Sequence, residues 1–117
     1  PLGVVDLKST GKGADPRTFS RAIFDFGYAI QAAAYLEGAA VAGFPCDDFR
    51  FIVVEDFEPH ECAVYRLGHE SLDIGRSELK RLRELEAECR KSGKYPGYPQ
   101  FDLEINLPKF ALKEGEE

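Results

Sequence analysis

Asp6 and Lys8 stand two residues apart in the run Val4-Val5-Asp6-Leu7-Lys8-Ser9-Thr10, and Gln31 and Tyr35 stand four apart in Gln31-Ala32-Ala33-Ala34-Tyr35. On a strand, side chains alternate between faces, so Asp6 and Lys8 address one side and Val5 and Leu7 the other. On a helix, positions four apart share a face, so Gln31 and Tyr35 lie one turn apart. A carboxylate beside an ammonium suits hydrolysis of a phosphodiester. That reaction needs a cation to neutralise phosphate charge, a nucleophilic water and a stabilised leaving oxygen. Mg²⁺ takes a few hard oxygen ligands and keeps several waters. Asp6 can give a carboxylate oxygen, and the backbone carbonyl of Leu7, between the two side chains, can give another. Lys8 can hold the attacking water and stabilise the charge that builds at phosphorus. The Gln31 amide both donates and accepts, so it can brace the water or the strand backbone, and Tyr35 can donate to a phosphate. Spacing alone leaves plainer readings open. Asp6 and Lys8 also fit an ion pair at a strand end, and Gln31 and Tyr35 a half-buried polar pair on a helix that packs on a sheet.

The elements that must position these residues are legible in outline. Gly3 to Lys8 reads as a short buried strand and Ser9 to Ala14, with Gly11 and Gly13, as a loop. Asp15-Pro16 is a helix start, with Asp as cap and Pro in the first turn. That helix should turn Phe19, Ile23 and Phe26 inward, and Gly27 allows a break. Tyr28 to Ala42 is a second helix, rich in alanine and suited to close packing on a sheet. Gly43 to Asp48 is a turn. Phe49 to Val54 reads as a central strand, and Cys62 to Leu67 as a strand antiparallel to it. Ser71 to Lys91 is an amphipathic helix with a stripe of Leu72, Leu79, Leu82 and Leu85, ended by Ser92-Gly93. The stripe fits core packing or an interface. The remainder, through Tyr95-Pro96-Gly97-Tyr98-Pro99, is extended or irregular. Glu78-Leu79-Lys80 repeats the acid-x-lysine spacing, but on a helix these two side chains diverge, so it is a decoy.

Composition bounds the rest. At 117 residues the chain is one domain or part of one, and 44% hydrophobic residues suffice for a core. A net charge of −6 argues against a nucleic-acid binder that works by bulk charge. It leaves room for a local basic site. Lys8, Lys12, Arg17 and Arg21 cluster early, whereas Glu114, Glu116 and Glu117 form an acidic end. An ordinary solvated face explains the basic cluster equally. No apolar run is long enough to cross a membrane and no signal-peptide pattern opens the chain, which points to a cytoplasmic protein. Cys46, Cys62 and Cys89 are odd in number, widely spaced and without a CxxC motif, so they read as reduced, mostly packed thiols. His60 and His69 read as loop residues. The chain has no methionine and opens almost on the first strand, which suggests that an upstream part belongs to the same protein.

Taken together, these residues resemble the PD-(D/E)XK nuclease superfamily, and within it the RecE-type (exonuclease VIII-like) exonucleases of phages and prophages. Val4-Val5-Asp6-Leu7-Lys8-Ser9-Thr10 resembles the DxK strand, and Tyr28 to Leu36 the QxxxY helix. Phe51-Ile52-Val53-Val54-Glu55 with Pro59, Gly97-Tyr98 and Leu107-Pro108 also fit. The resemblance implies an α/β restriction-endonuclease-like core, a mixed central sheet flanked by helices, lacking its N-terminal helix and strands. It implies that Asp6 ligates metal, that Lys8 is the catalytic lysine, and that Gln31 and Tyr35 support them. It further implies Mg²⁺ (with Mn²⁺ able to substitute), ends of linear double-stranded DNA as substrate, and 5′ to 3′ exonuclease action in recombination. A RecT-like annealing partner and a homo-oligomer follow from the same resemblance. The family core also holds an upstream helix with an acid or histidine near the metal, and an upstream strand with another aspartate. Residues 1–117 would therefore be a partial nuclease domain that binds Mg²⁺ poorly alone and needs the missing N-terminal half as a partner. Two other readings are a Cas4-like or RecB-like nuclease of other polarity, whose iron–sulfur cysteines this spacing does not match, and a non-catalytic interaction module.

Overall fold

A three-stranded mixed sheet organises the protein, for which a computed structural model describes residues 3–112. The acidic end at Glu114, Glu116 and Glu117, and the start at Pro1 and Leu2, lie outside the described residues. The order of elements is β1 (Val4–Thr10), α1 (Pro16–Asp25), α2 (Tyr28–Val41), β2 (Phe49–Glu55), β3 (Cys62–Arg66), α3 (His69–Ser92) and a 3₁₀ turn at Lys109–Ala111. In the sheet, β2 lies between β1 and β3. It runs parallel to β1, with Asp6 opposite Phe51 and Lys8 opposite Val53, and antiparallel to β3. The parallel pair needs a long crossover, which α1 and α2 supply; the antiparallel pair needs only a short link.

Local chemistry sets the helix boundaries. The Asp15 carboxylate accepts from the Thr18 backbone N–H at 3.1 Å and from its hydroxyl at 3.0 Å, closing the start of α1. These two hydrogen bonds from Thr18 hold the Asp15 carboxyl below its ordinary range. Gly27 separates α1 from α2 with φ of 67°, a left-handed turn that a side chain resists.

One face of the sheet carries the core. Phe49, Phe51 and Val53 of β2 are buried beneath Ala32, Ala33 and Leu36 of α2, Phe19 of α1 and Leu72 of α3. The rings of Phe19 and Phe51 meet edge to face at 5.2 Å, and those of Phe49 and Phe51 at 5.1 Å. Each such ring, fully buried, is worth about 1.5–3 kcal/mol of removed apolar surface. The alanines let α2 approach the sheet closely. Gly75 does the same between helices: a Cβ there would lie 2.2 Å from the Ala29 carbonyl oxygen of α2. An Arg83–Glu37 ion pair at 2.5 Å joins the same two helices at the surface.

Several expectations need correction. β1 is not buried on both sides: among the described residues it is an edge strand, and Val5 and Leu7 are 57% and 69% exposed. Its covered face is the polar one. Phe26 is exposed because Gly27 turns the chain before that ring can reach the core, while Phe19 is buried and Ile23 packs at the core margin. The leucine stripe of α3 covers the core only at Leu72 and Leu79; Leu82 and Leu85 lie on the part that runs past the sheet. His69 opens α3 rather than lying in a loop, and Cys62 is an exposed thiol, not a packed one. After α3, residues 94–108 are irregular and carry exposed Phe101, Leu103, Ile105 and Leu107.

Candidate active site

The covered face of β1 and the adjoining face of α2 bring all four predicted side chains into one chain of contacts. Period-two alternation turns Asp6 and Lys8 under α2, where their side chains are 17% and 15% exposed. The Lys8 ammonium lies 3.0 Å from Asp6 Oδ2. It donates to Gln31 Oε1 at 2.7 Å. Gln31 Nε2 in turn donates to the Tyr35 hydroxyl at 3.2 Å, and the Tyr35 ring stacks beside Phe49, centroids 6.2 Å apart. Gln31 therefore has one orientation: its oxygen faces the cation and its amide nitrogen faces Tyr35.

Tyr28 completes the setting, and the motif reading did not single it out. The Lys8 ammonium sits 4.0 Å from the centroid of its ring, close enough for the ring face to attract the cation. The signal was present in the spacing, since Tyr28, Gln31 and Tyr35 at i, i+3 and i+7 share one helical face. Glu55, at the far end of β2, holds the loop after β1 in place by accepting from the Ala14 N–H at 2.9 Å. Tyr65 donates to the Ala14 carbonyl at 2.5 Å from β3. Burial, with the Asp15 charge second, pushes the Tyr65 phenol up.

Two oxygens at this site suit a hard cation. Asp6 Oδ2 is buried and has no hydrogen-bond partner. The neighbouring Lys8 ammonium meets its charge at 3.0 Å but off the alignment a hydrogen bond requires. The Lys8 charge offsets part of the cost of burying this oxygen, and its lone pairs carry no aligned donor. The second oxygen is the Leu7 carbonyl. Val4 N–H donates to Asp48 and the Thr10 carbonyl accepts from Asp56, so the even residues of β1 point their backbone groups at β2. Strand alternation then sends the Leu7 carbonyl to the open edge. Asp6 and Leu7 thus offer a carboxylate and a carbonyl of the kind Mg²⁺ accepts. Each oxygen is of the type such an ion takes, and the two belong to adjacent residues of β1. Among the described residues no group of three or more His, Cys, Asp or Glu gathers that could supply the remainder.

The residues read as bystanders stay apart from the site. Glu78 of the second acid-x-lysine run is engaged by Arg81 at 2.7 Å on α3, and that hydrogen bond holds its carboxyl low. Cys46, Cys62 and Cys89 are free thiols and do not cluster, so among the described residues they form no iron–sulfur site. His60 lies between β2 and β3, its ring nitrogen 3.1 Å from the Glu55 carbonyl. No described helix is long and apolar enough to cross a membrane.

A family described as a PDDEXK-like domain of unknown function (DUF3799) matches residues 2–101. No curated protein matches the chain.

Proposed function

Because the chain belongs to the PDDEXK-like family DUF3799 and has a mixed α/β core, we propose that it is a nuclease and carries the acid-x-lysine half of a Mg²⁺-dependent DNA exonuclease site. The observation that supports this reading most is the unbroken series Asp6–Lys8–Gln31–Tyr35. An incidental surface ion pair would not be screened under a helix and oriented by an amide with a fixed direction.

The residues divide the work as follows. Asp6 Oδ2 and the Leu7 carbonyl would hold Mg²⁺, or Mn²⁺ in its place. When bound, that ion supplies positive charge at the scissile phosphate and makes a water more acidic. The Lys8 ammonium has three donors. One is given to Gln31 and a second lies against Asp6, which leaves one for a water or a phosphate oxygen. Water adds to phosphorus and gives one proton to solvent, the bond to the leaving oxygen breaks, and that oxygen takes up a proton from solvent. Lys8 stabilises the charge that accumulates on the phosphate oxygens in between. Gln31 fixes where the ammonium points, and Tyr35 fixes Gln31.

The substrate in this reading is the end of linear duplex DNA, degraded 5′ to 3′ during recombination in a phage, prophage or bacterial cell. A RecT-like annealing protein would receive the product strand, and a homo-oligomer would hold the duplex. The test uses linear and closed circular duplex DNA with Mg²⁺, applied to this chain and to the full-length gene product. Loss of the linear substrate alone, abolished by Lys8→Ala, is the expected result. Equal digestion by wild type and Lys8→Ala would remove Lys8 from the mechanism. The small number of acidic donors at the site supports a second reading, a nuclease-fold interaction module without catalysis. Failure to digest either DNA by the full-length product would favour it.

A further inference from the structure

Beside Lys8, an open cleft of about 950 Å³ lies between the loop after β1 and the outer face of α1. Lys12, Arg17, Arg21, Phe24, Phe26 and Tyr28 line it. We propose that this cleft is a track for single-stranded DNA, which it delivers to or receives from the Asp6–Lys8 site; the inference rests on the nuclease reading above.

Three observations carry it. The first is charge. In a chain of net charge −6, Lys12 and Arg17 have no carboxylate within 4.0 Å among the described residues. Arg21 is paired with Asp25 at 3.0 Å, but both are exposed, and such a pair exchanges partners at little cost. Asp25, Asp56, which faces Gly11 at the loop end, and Asp15, whose charge interacts with that of Arg17, are the acidic neighbours. The second is the spacing of the cations. Arg17, Arg21 and Phe24 stand at i, i+4 and i+7, one continuous stripe along α1. A phosphate backbone laid along the helix would meet one cation per turn.

The third is the aromatic series. Phe24 and Phe26 are 80% and 69% exposed, and they open into a cleft rather than stand alone on the surface. Phe26 lies 5.8 Å from Tyr28, and Tyr28 lies under the Lys8 ammonium. The rings thus lead from solvent to the reacting lysine. A cationic groove interleaved with exposed rings is the arrangement that holds unpaired nucleotides, because every base has a face to stack. In an intact duplex the base faces are already stacked on one another, so these rings would gain nothing from it.

The test is fluorescence anisotropy with a labelled oligothymidylate and with a blunt duplex, in EDTA so that nothing is cut. Phe24→Ala/Phe26→Ala should weaken oligothymidylate binding about fivefold or more and leave its salt dependence intact. Lys12→Ala/Arg17→Ala should lower the log–log salt slope by about 1.4, two single-strand contacts' worth. Neither variant touches the core, so the thermal transition should stay where it is. Equal binding of oligothymidylate by wild type and the double-phenylalanine variant would overturn the track, as would equal loss of duplex binding. Cleavage of linear DNA is scored separately. Oligothymidylate binding that depends on the cleft, without any cleavage by the full-length product, would leave the track standing and sink the nuclease reading.

Discussion

Replacing Gly75 by alanine separates two opposed contributions, and the geometry decides which wins. Gly75 lies within α3, where alanine is favoured over glycine by about 1 kcal/mol. Its Cβ would stand 2.2 Å from the Ala29 carbonyl oxygen, 2.6 Å from the carbonyl carbon and 3.2 Å from the Ala29 Cβ. Ordinary contact begins near 3.5 Å, so α2 and α3 must separate by about 1 Å. The obstacle is backbone rather than a side chain that could swing away, which places the cost near the top of the usual overpacking range, about 3 kcal/mol. The net loss is then about 2 kcal/mol, or a fall in melting temperature of about 8 °C or more for a chain of this size. Gly38→Ala is the matched control. It lies in α2 with no heavy atom within 4 Å of its would-be Cβ, so it should gain about 0.5–1 kcal/mol. Urea unfolding followed by circular dichroism would measure both. A Gly75→Ala variant as stable as wild type would refute the clash with Ala29. A second consequence lies two residues along α2: moving Ala29 by about 1 Å carries Gln31 out of hydrogen-bonding range of Lys8, so activity should fall with stability.

Other outcomes follow from single contacts. Gln31→Leu removes the acceptor that orients the Lys8 ammonium, a charge-assisted bond worth about 1.5–3 kcal/mol, so the melting temperature should fall, and kcat/KM should drop about tenfold or more where the variant is still fully folded. Tyr65→Phe takes a donor from the Ala14 carbonyl and should cost about 1 kcal/mol in chemical denaturation. The same phenol has a raised folded pKa, through burial first and the Asp15 charge second. The unfolded chain therefore ionises first, and Tyr65's contribution is complete below its ordinary value of 10.0 and is lost as pH rises through the folded value. A stability profile of Tyr65→Phe should lack that part of the alkaline decline. Asp15 has the opposite sign. Its folded pKa is lowered by Thr18, so its contribution is present above 3.8 and disappears as pH falls through the folded value. Asp15→Ala should melt lower than wild type at neutral pH, and the difference should vanish in acid.

Much of the site was legible because its logic is periodic. Alternation put Asp6 and Lys8 together, and the helical repeat put Gln31 and Tyr35 together; the structure then joined the two pairs. The strand order was legible from a near-continuous apolar run at Phe51 to Val54 and the short link after it. What periodicity cannot supply is which face is covered. By hydropathy Val5 and Leu7 should point inward, yet they face out and the charged pair lies under α2. That inversion costs stability, because two charges are taken from water while two apolar side chains stay in it. Phe26 was misplaced because a ring beside a left-handed glycine is governed by the turn, not by the helix before it. Gly75 gave no sign in sequence, since a glycine within a helical pattern reads the same whether it meets solvent or another backbone. The outer stripe at Leu82 and Leu85 failed for a simpler reason: α3 is longer than the sheet it covers.

The edge position of β1 has a signature in time rather than in space. The amides of Val4, Asp6, Lys8 and Thr10 point toward β2, whereas those of Val5, Leu7 and Ser9 point outward. Hydrogen–deuterium exchange along this one strand should therefore alternate, slow and fast by turns, with the period of the pleat itself. A strand or segment that pairs with the open edge would slow the odd amides and leave the even ones as they were. Seven consecutive residues thus form a built-in reporter, able to register what arrives at β1 without any label being placed there.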